Sequence, residues 1–208
     1  MEEKNEVGKV VFYGDSNTYG YDPADMYQQR FSEDKRWTTM VARSVQPDLE
    51  VIPEGMNGRR IPDLKYDRSY LQKVINEVGD NGLFCTMLGT NDLLMLMEPD
   101  AGYAVQKMET YLEYLCCSLR TDQILIIAPP YIGNREITDP LYQRYYQESI
   151  RMNAEFRNLS MKHGVWFADA SLWNVEMSFD LVHFSERGHW IFAEKMTGLI
   201  TEILGLQR

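Results

Sequence analysis

Short apolar segments alternate with longer amphipathic segments along this chain. The apolar segments are rich in β-branched and aromatic residues, end near Gly or Pro, and cover residues 10–13, 49–52, 83–88, 124–128 and 165–168. Short runs that are apolar at successive positions are typical of strands covered on both faces. The pattern therefore predicts five strands of one parallel sheet.

The segments between and after these runs have the spacing of helices that bury one side. They cover residues 36–44, 66–78, 103–119, 141–163 and 186–204. In the last segment one helical face is apolar and is expected to pack on the sheet; it carries Trp190, Ala193, Met196, Ile200 and Ile203. The fourth segment ends in residues 162–164, a cationic last turn followed by the cap expected of Gly164.

The order of these elements predicts the architecture. Strands that alternate with helices are typical of an α/β fold in which helices cover both faces of a parallel sheet. We therefore expect a three-layer α/β/α sandwich with a five-stranded sheet, doubly wound as in flavodoxin. We expect it to form a single domain over residues 1–208, a length that buries a large core without disulfides or metal.

Charge and cysteine content narrow the range of partners. The chain has 21 Lys and Arg against 31 Asp and Glu, a net charge of −10, which argues against nucleic acid and anionic membranes as partners. No apolar run approaches the roughly 20 residues of a transmembrane helix, and the charged first residues do not resemble a secretion signal. The three cysteines form no disulfide framework, so we expect a cytoplasmic protein. Assembly into a homo-oligomer stays open.

Four polar or glycine-rich clusters follow predicted strands. They cover residues 14–20, 54–59, 89–92 and 180–183. Ligands of parallel α/β sheets bind outside the carboxyl ends of the strands. We therefore expect the four clusters to meet at one edge of the sheet.

These clusters contain the groups that acyl transfer needs. Ser16 lies in a strand-to-helix turn, where a side chain can be exposed with little crowding. Asp180 and His183 are three residues apart, so the carboxylate can hold one imidazole nitrogen while the other faces outward. Gly58 can bring a bare backbone N–H close to a developing oxyanion, and Asn91 can add a side-chain N–H to it. The amide of Ser16 is the third expected donor.

Several of these residues also have structural interpretations. One alternative is that Ser16 is no more than a helix N-cap. Asp15 and Asp92 are expected to hold a helix start or a loop by hydrogen bonds. His163 is expected to lie at the surface at a helix end. His189 is expected to pack inside the protein, which leaves His183 as the candidate base.

Other features leave alternatives open. Residues 93–97 can line an acyl pocket or form a short buried helix. Four aromatic residues can form walls of a substrate site or belong to the core: Tyr19, Tyr21, Tyr131 and Trp173. Cys116 and Cys117 lie in an amphipathic segment, so at least one is expected in the core. Neither HExxH nor paired CxxC motifs occur, so we expect no metal and no cofactor.

Together the four clusters resemble the SGNH hydrolases, which are also called GDSL-type esterases and lipases. The matching blocks occur in the order of the family: Gly14-Asp15-Ser16, Asn57-Gly58, Gly89-Thr90-Asn91-Asp92 and Asp180-Leu181-Val182-His183. Because they span most of the chain, the resemblance covers nearly all of it. The resemblance departs from the family name at Asn17, where that name has Leu. The sequence patterns GDSxTxG and EGxNGR are similar to those of the branch of small arylesterases and acyltransferases.

The resemblance implies a function for each block. It implies Ser16 as the nucleophile, His183 as its base and Asp180 as the residue that orients the base. It implies the Gly58 amide and the Asn91 side chain as oxyanion donors, and a reaction without metal or cofactor. We therefore expect a serine esterase that hydrolyses short-chain acyl esters of small molecules through an acyl-enzyme.

Two other functions remain as alternatives. The same site can serve a carbohydrate deacetylase or an acyltransferase. A flavodoxin-like binding module, with phosphate held in the loop after the first strand, leaves the clusters at 89–92 and 180–183 without a role. The only sizeable loops at this edge, residues 22–35 and 131–140, are too short for a lipase lid, which favours small or water-soluble esters.

Overall fold

A sheet of five parallel strands forms the centre of the computed structural model, which describes residues 8–25, 27 and 30–206. The strands are β1 (Gly8–Gly14), β2 (Leu49–Gly55), β3 (Leu83–Met87), β4 (Ile124–Ala128) and β5 (Trp166–Asp169). Their order across the sheet is β2-β1-β3-β4-β5. The expected flavodoxin-like α/β fold is therefore confirmed. The charged N-terminal residues 1–7, and residues 26, 28 and 29 of the loop 22–35, lie outside the described residues.

Helices cover both faces of the sheet. They are α1 (Ser16–Tyr19), α2 (Trp37–Val45), α3 (Arg68–Asn76), α4 (Thr90–Leu94), α5 (Ala101–Ser118), α6 (Pro140–His163) and α7 (Glu186–Ile203). One core cluster joins the sheet to α3, α5 and α6, and the other joins it to α2 and α7. Val10 and Val11 of β1 belong to opposite clusters, because successive side chains of a strand point to opposite faces. This arrangement forms the expected three layers.

The two edge strands differ from the sequence prediction. Pro53 does not close the second strand, because β2 continues through it to Gly55. A proline has no N–H to donate, and an edge strand tolerates this because it has a neighbour on one side only. In β5, Trp166 is 45% exposed. Cover on both faces was therefore a wrong expectation for this strand, which also lies at an edge.

Helix α7 buries a different set of residues from the one expected. Ala193, Met196 and Ile200 are buried as predicted, but Trp190 is 55% exposed and Ile203 is only half-buried. The buried stripe also includes His189, which is fully buried as expected. Trp190 lies about a quarter turn from the centre of this stripe, and Ile203 is the last residue of the helix.

Short helices and helix ends account for the remaining differences. Helices α1 and α4 have four and five residues, too few to show a helical period in the sequence. Gly164 caps α6 with a φ of 68°, as predicted, whereas His163 is half-buried rather than on the surface. Cys116 is half-buried against the core and Cys117 is exposed. Among the described helices, none combines the length and the apolarity that crossing a membrane requires.

Candidate active site

Ser16 lies at the first position of α1, two residues after the end of strand β1. The turn is tight, because a Cβ on Gly14 would lie 2.1 Å from the Thr18 hydroxyl oxygen. A glycine is therefore needed where the strand enters the helix. Asp15 caps the helix by accepting a hydrogen bond from the backbone N–H of Asn17 at 2.9 Å, which confirms its expected structural contact. Ser16 is thus held at the carboxyl edge of the sheet.

His183 and Asp180 lie in the loop between β5 and α7. Asp180 Oδ1 accepts hydrogen bonds from the backbone N–H groups of Val182 at 3.1 Å and His183 at 3.0 Å, and Asp180 Oδ2 lies 2.6 Å from His183 Nδ1. Burial would raise the pKa of Asp180, but the hydrogen bonds from the His183 ring and the two N–H groups lower it below its ordinary value. The carboxylate is therefore held in its charged form beside the imidazole.

The imidazole joins this loop to Ser16. His183 Nε2 lies 2.9 Å from Ser16 Oγ, although the two residues are 167 positions apart in the chain. Ser16, His183 and Asp180 therefore form one hydrogen-bonded series, at distances suited to proton transfer. The ring of Tyr21 lies 4.6 Å from the imidazole, measured between ring centroids.

Gly58 lies in the loop that follows β2, Asn91 lies in the short helix α4 that follows β3, and Arg59 connects them. Asn91 Nδ2 donates to the carbonyl oxygen of Arg59 at 3.1 Å, and an asparagine amide has a second N–H to offer. Gly58 is exposed and has a φ of 71°, a left-handed conformation that favours glycine. The buried guanidinium of Arg59 donates to the carbonyl oxygens of Gly14, at 3.0 Å, and of Glu54. These contacts hold the loop of Gly58 against the end of β1.

Two polar residues beside the predicted site residues make contacts that the sequence analysis missed. Arg59 binds the chain at the end of β1, and its guanidinium lies 4.1 Å from the ring centroid of Tyr13. Asn17 is buried and binds the loop of His183 through its side chain. The available signal was the presence of a polar residue next to Gly58 and next to Ser16, but the partners are far away in the sequence.

Two more carboxylates are buried under the site. Burial raises the pKa of Asp15 to about 6, although the hydrogen bond from Asn17 acts in the opposite direction. Asp92 accepts hydrogen bonds from the Ile61 N–H at 2.9 Å and from Lys107 Nζ at 2.6 Å. Burial raises the pKa of Asp92 as well, against the effect of Lys107. Asp92 therefore holds the loop after β2 to α5, as its expected structural role requires.

The remaining pocket candidates divide between the site and the core. Leu93 is buried in the core, whereas Met97 is 94% exposed, so residues 93–97 do not form a continuous buried helix. Of the four aromatic candidates, Tyr21 contacts the base, as described above. Trp173 packs against Phe192, with ring centroids 5.0 Å apart, on the far side of the sheet from α5.

A cavity of about 540 Å³ opens beside Gly58. Its lining combines aromatic rings with charged side chains, including Tyr13, Tyr66, Tyr70, Arg60, Asp63, Asp67 and Lys107. Tyr66 is 73% exposed and Tyr70 is 48% exposed, so their rings are accessible to a ligand.

Within the described part of the chain, no group of three or more His, Cys, Asp and Glu side chains is placed to hold a metal ion.

Several solved structures share this fold. A carbohydrate acetylesterase family member from Sinorhizobium meliloti is 25% identical and superimposes with a TM-score of 0.77, covering 96% of this chain and 100% of its own. The native aryl esterase of M. smegmatis is 22% identical, with a TM-score of 0.77 and coverage of 94% and 99%. An acetylxylan esterase from Geobacillus stearothermophilus, solved as a catalytic mutant, is 19% identical, with a TM-score of 0.67 and coverage of 96% and 95%.

A family model matches most of the sequence. The model of the GDSL-like lipase/acylhydrolase family matches residues 12–191, a range that includes every predicted site residue from Ser16 to His183. No curated protein matches the chain. Because the family model covers most of the sequence, the chain belongs to the GDSL-like lipase/acylhydrolase family, the SGNH hydrolases.

Proposed function

We propose that this protein is a serine esterase that hydrolyses short-chain acyl esters through an acyl-enzyme. The observation that carries the proposal is the position of His183, whose Nε2 lies 2.9 Å from Ser16 Oγ and whose Nδ1 lies 2.6 Å from Asp180 Oδ2. A nucleophile, a base and a carboxylate that orients the base need this relative placement. Membership of an acylhydrolase family supports the same class of reaction.

In the first half of the reaction, Ser16 Oγ attacks the carbonyl carbon of the ester and His183 Nε2 accepts the serine proton. Asp180 accepts the hydrogen bond from Nδ1–H and stabilises the imidazolium that forms. The oxyanion accepts hydrogen bonds from the backbone N–H groups of Ser16 and Gly58 and from the Asn91 side chain. The imidazolium then gives its proton to the alcohol oxygen, the C–O bond breaks, and the acyl group stays on Ser16.

In the second half, water takes the place of the alcohol. His183 removes a proton from the water as it attacks the acyl carbon, and the same oxyanion donors act again. The imidazolium returns the proton to Ser16 Oγ, and the carboxylic acid leaves. An alcohol that binds in place of water receives the acyl group instead, so an acyltransferase reaction needs no additional residue.

An acetylated carbohydrate is the second candidate substrate, and the cavity beside Gly58 favours it. Exposed rings of Tyr66 and Tyr70 offer flat apolar surfaces, and the carboxylates of Asp63 and Asp67 can accept hydrogen bonds from hydroxyl groups. This combination suits a molecule with apolar faces and many hydroxyl groups. The similarity of fold to a carbohydrate acetylesterase at 25% identity supports the same choice.

The nucleophile is tested by Ser16→Ala. Loss of activity by about 10⁴-fold or more, together with loss of covalent labelling by a fluorophosphonate, is the expected result. Ser69→Ala, which changes an exposed serine of α3, is the matched control and should keep both properties. Labelling of Ser16→Ala at the parental rate, or at another residue, would contradict the proposal.

The substrate class is tested by comparing catalytic efficiencies. We expect kcat/KM to fall as the acyl chain of a simple aryl ester lengthens beyond a few carbons. Acetylated sugars are compared with aryl acetates in the same assay, and a sugar alcohol is added to detect acyl transfer. A preference for long-chain esters would contradict the proposed short-chain specificity, whereas a preference for acetylated sugars would select the second candidate.

A further inference from the structure

Asn17 follows Ser16 directly and binds the backbone on both sides of His183. Its side-chain Nδ2 donates to the carbonyl oxygen of Val182 at 3.1 Å, and its Oδ1 accepts from the backbone N–H of Phe184 at 2.9 Å. Asn17 is 3% exposed, and its hydrogen bond with Phe184 is buried. One side chain on the helix of the nucleophile therefore holds the two peptide groups that flank the candidate base.

The backbone of Asn17 is itself held firmly. Its N–H donates to Asp15 Oδ1 at 2.9 Å, and its carbonyl oxygen accepts from the indole N–H of Trp37 at 2.8 Å. Trp37 is 1% exposed and packs against Phe12 and Phe192 of the core. The Asn17 side chain therefore extends from a backbone that is held in place by two hydrogen bonds.

Phe184 anchors the loop of His183 to the core, because it is fully buried and packs against Phe192, but the other hydrogen bonds beside the base do not reach α1. Ser178 N–H donates to the carbonyl oxygen of His183 at 2.7 Å, and Gly133 N–H donates to that of Leu181 at 3.1 Å. The first bond lies within the loop, and the second joins it to the segment after β4. The hydrogen bonds that Asp180 accepts from the backbone of the loop are also internal. Apart from the contact of His183 Nε2 with Ser16 Oγ itself, only the contacts of Asn17 among these described ones join the loop to the helix that carries Ser16.

We propose that Asn17 is a positioning residue that sets the distance between Ser16 Oγ and His183 Nε2, an inference that rests on the proposed function. A side chain here must supply a donor and an acceptor at the same time. Leucine would supply neither, and would leave the Val182 carbonyl and the buried Phe184 N–H without these partners. Displacement of a reacting group by about 1 Å can lower a rate by about 100-fold, so the loss should appear in the chemical step.

The test uses Asn17→Asp and Asn17→Ser, with Asn153→Asp as the matched control. Aspartate keeps the shape and the acceptor for Phe184 but replaces the donor to Val182 with a repelling oxygen. Serine is smaller and reaches neither partner, and so provides a second variant if the buried charge prevents folding. Asn153 is a buried asparagine of α6 whose amide donates to the carbonyl oxygen of Pro129 at 2.8 Å.

In folded Asn17 variants we expect kcat to fall by roughly 10–100-fold with little change in KM. The rate of labelling by a fluorophosphonate should fall by a similar factor, because labelling also needs the activation of Ser16 by His183. Asn153→Asp should lower stability but keep the parental kcat and labelling rate.

Three outcomes would overturn the inference. Folded variants with parental kcat and labelling rate show that Asn17 does not position the base. A lower kcat with parental labelling places the defect after the activation of Ser16. An equal loss of kcat in Asn153→Asp shows that a buried Asn-to-Asp change lowers the rate wherever it is made. Failure of the proposed function looks different, because the parent itself would then show no esterase activity and no labelling at Ser16.

Discussion

Replacing Asp15 by Asn should make the stability of this protein less dependent on pH. Asp15 is 1% exposed, and burial raises its pKa to about 6 from an ordinary value of 3.8. The folded protein therefore binds a proton at Asp15 more tightly than the unfolded chain does. Between these two pKa values the folded state carries more protons, so the free energy of unfolding falls as the pH rises.

The magnitude follows from the difference between the two pKa values. A difference of about 2 corresponds to about 3 kcal/mol at 1.36 kcal/mol per pH unit, and this cost is fully present above about pH 7. Part of it already appears at pH 4, because the unfolded carboxyl is partly ionised there. Between pH 4 and pH 8 we therefore expect the stability of Asp15→Asn relative to the parent to rise by about 2 kcal/mol.

The assay is equilibrium unfolding in urea at pH 4, 6 and 8 for the parent and the variant. Any constant cost of the Asn amide in this buried position cancels, because only the change of the difference with pH is used. Asp48→Asn, which alters an exposed carboxyl, controls for the removal of one negative charge. If the difference in stability between Asp15→Asn and the parent stays flat between pH 4 and pH 8, or falls, the raised pKa of Asp15 is refuted.

Three more predictions concern the site. Asn91→Ala should lower kcat by roughly 10²–10³-fold with KM nearly unchanged in steady-state assays, because its donor acts mainly on charge formed in the transition state. Asp180→Asn should lower kcat/KM, because the imidazole of His183 loses the carboxylate that orients it; a parental kcat/KM would contradict this. Gly58→Ala should cost about 1–2 kcal/mol in urea unfolding through its φ of 71° alone, since no atom lies within 4 Å of the added Cβ.

Local patterns in the sequence were sufficient to predict the parallel sheet and the polar clusters at its carboxyl edge. A strand that is buried on both faces needs apolar residues at successive positions, so β1, β3 and β4 could be recognised from short windows. The spacing of Asp180 and His183 likewise predicted their contact, because three residues of a tight turn bring them together. The four blocks also resembled one family in their order and in their residues.

Tertiary structure decided the features that depend on neighbours distant in the chain. Whether Pro53 ends or continues a strand depended on the position of β2 at the sheet edge, and the exposure of Trp190 depended on how α7 is rotated against the sheet. The contacts of Asn17 with Val182 and Phe184 join residues about 165 positions apart. Residue type states which hydrogen bonds a side chain can make, but only the packed chain brings a particular donor and acceptor within 3 Å of each other.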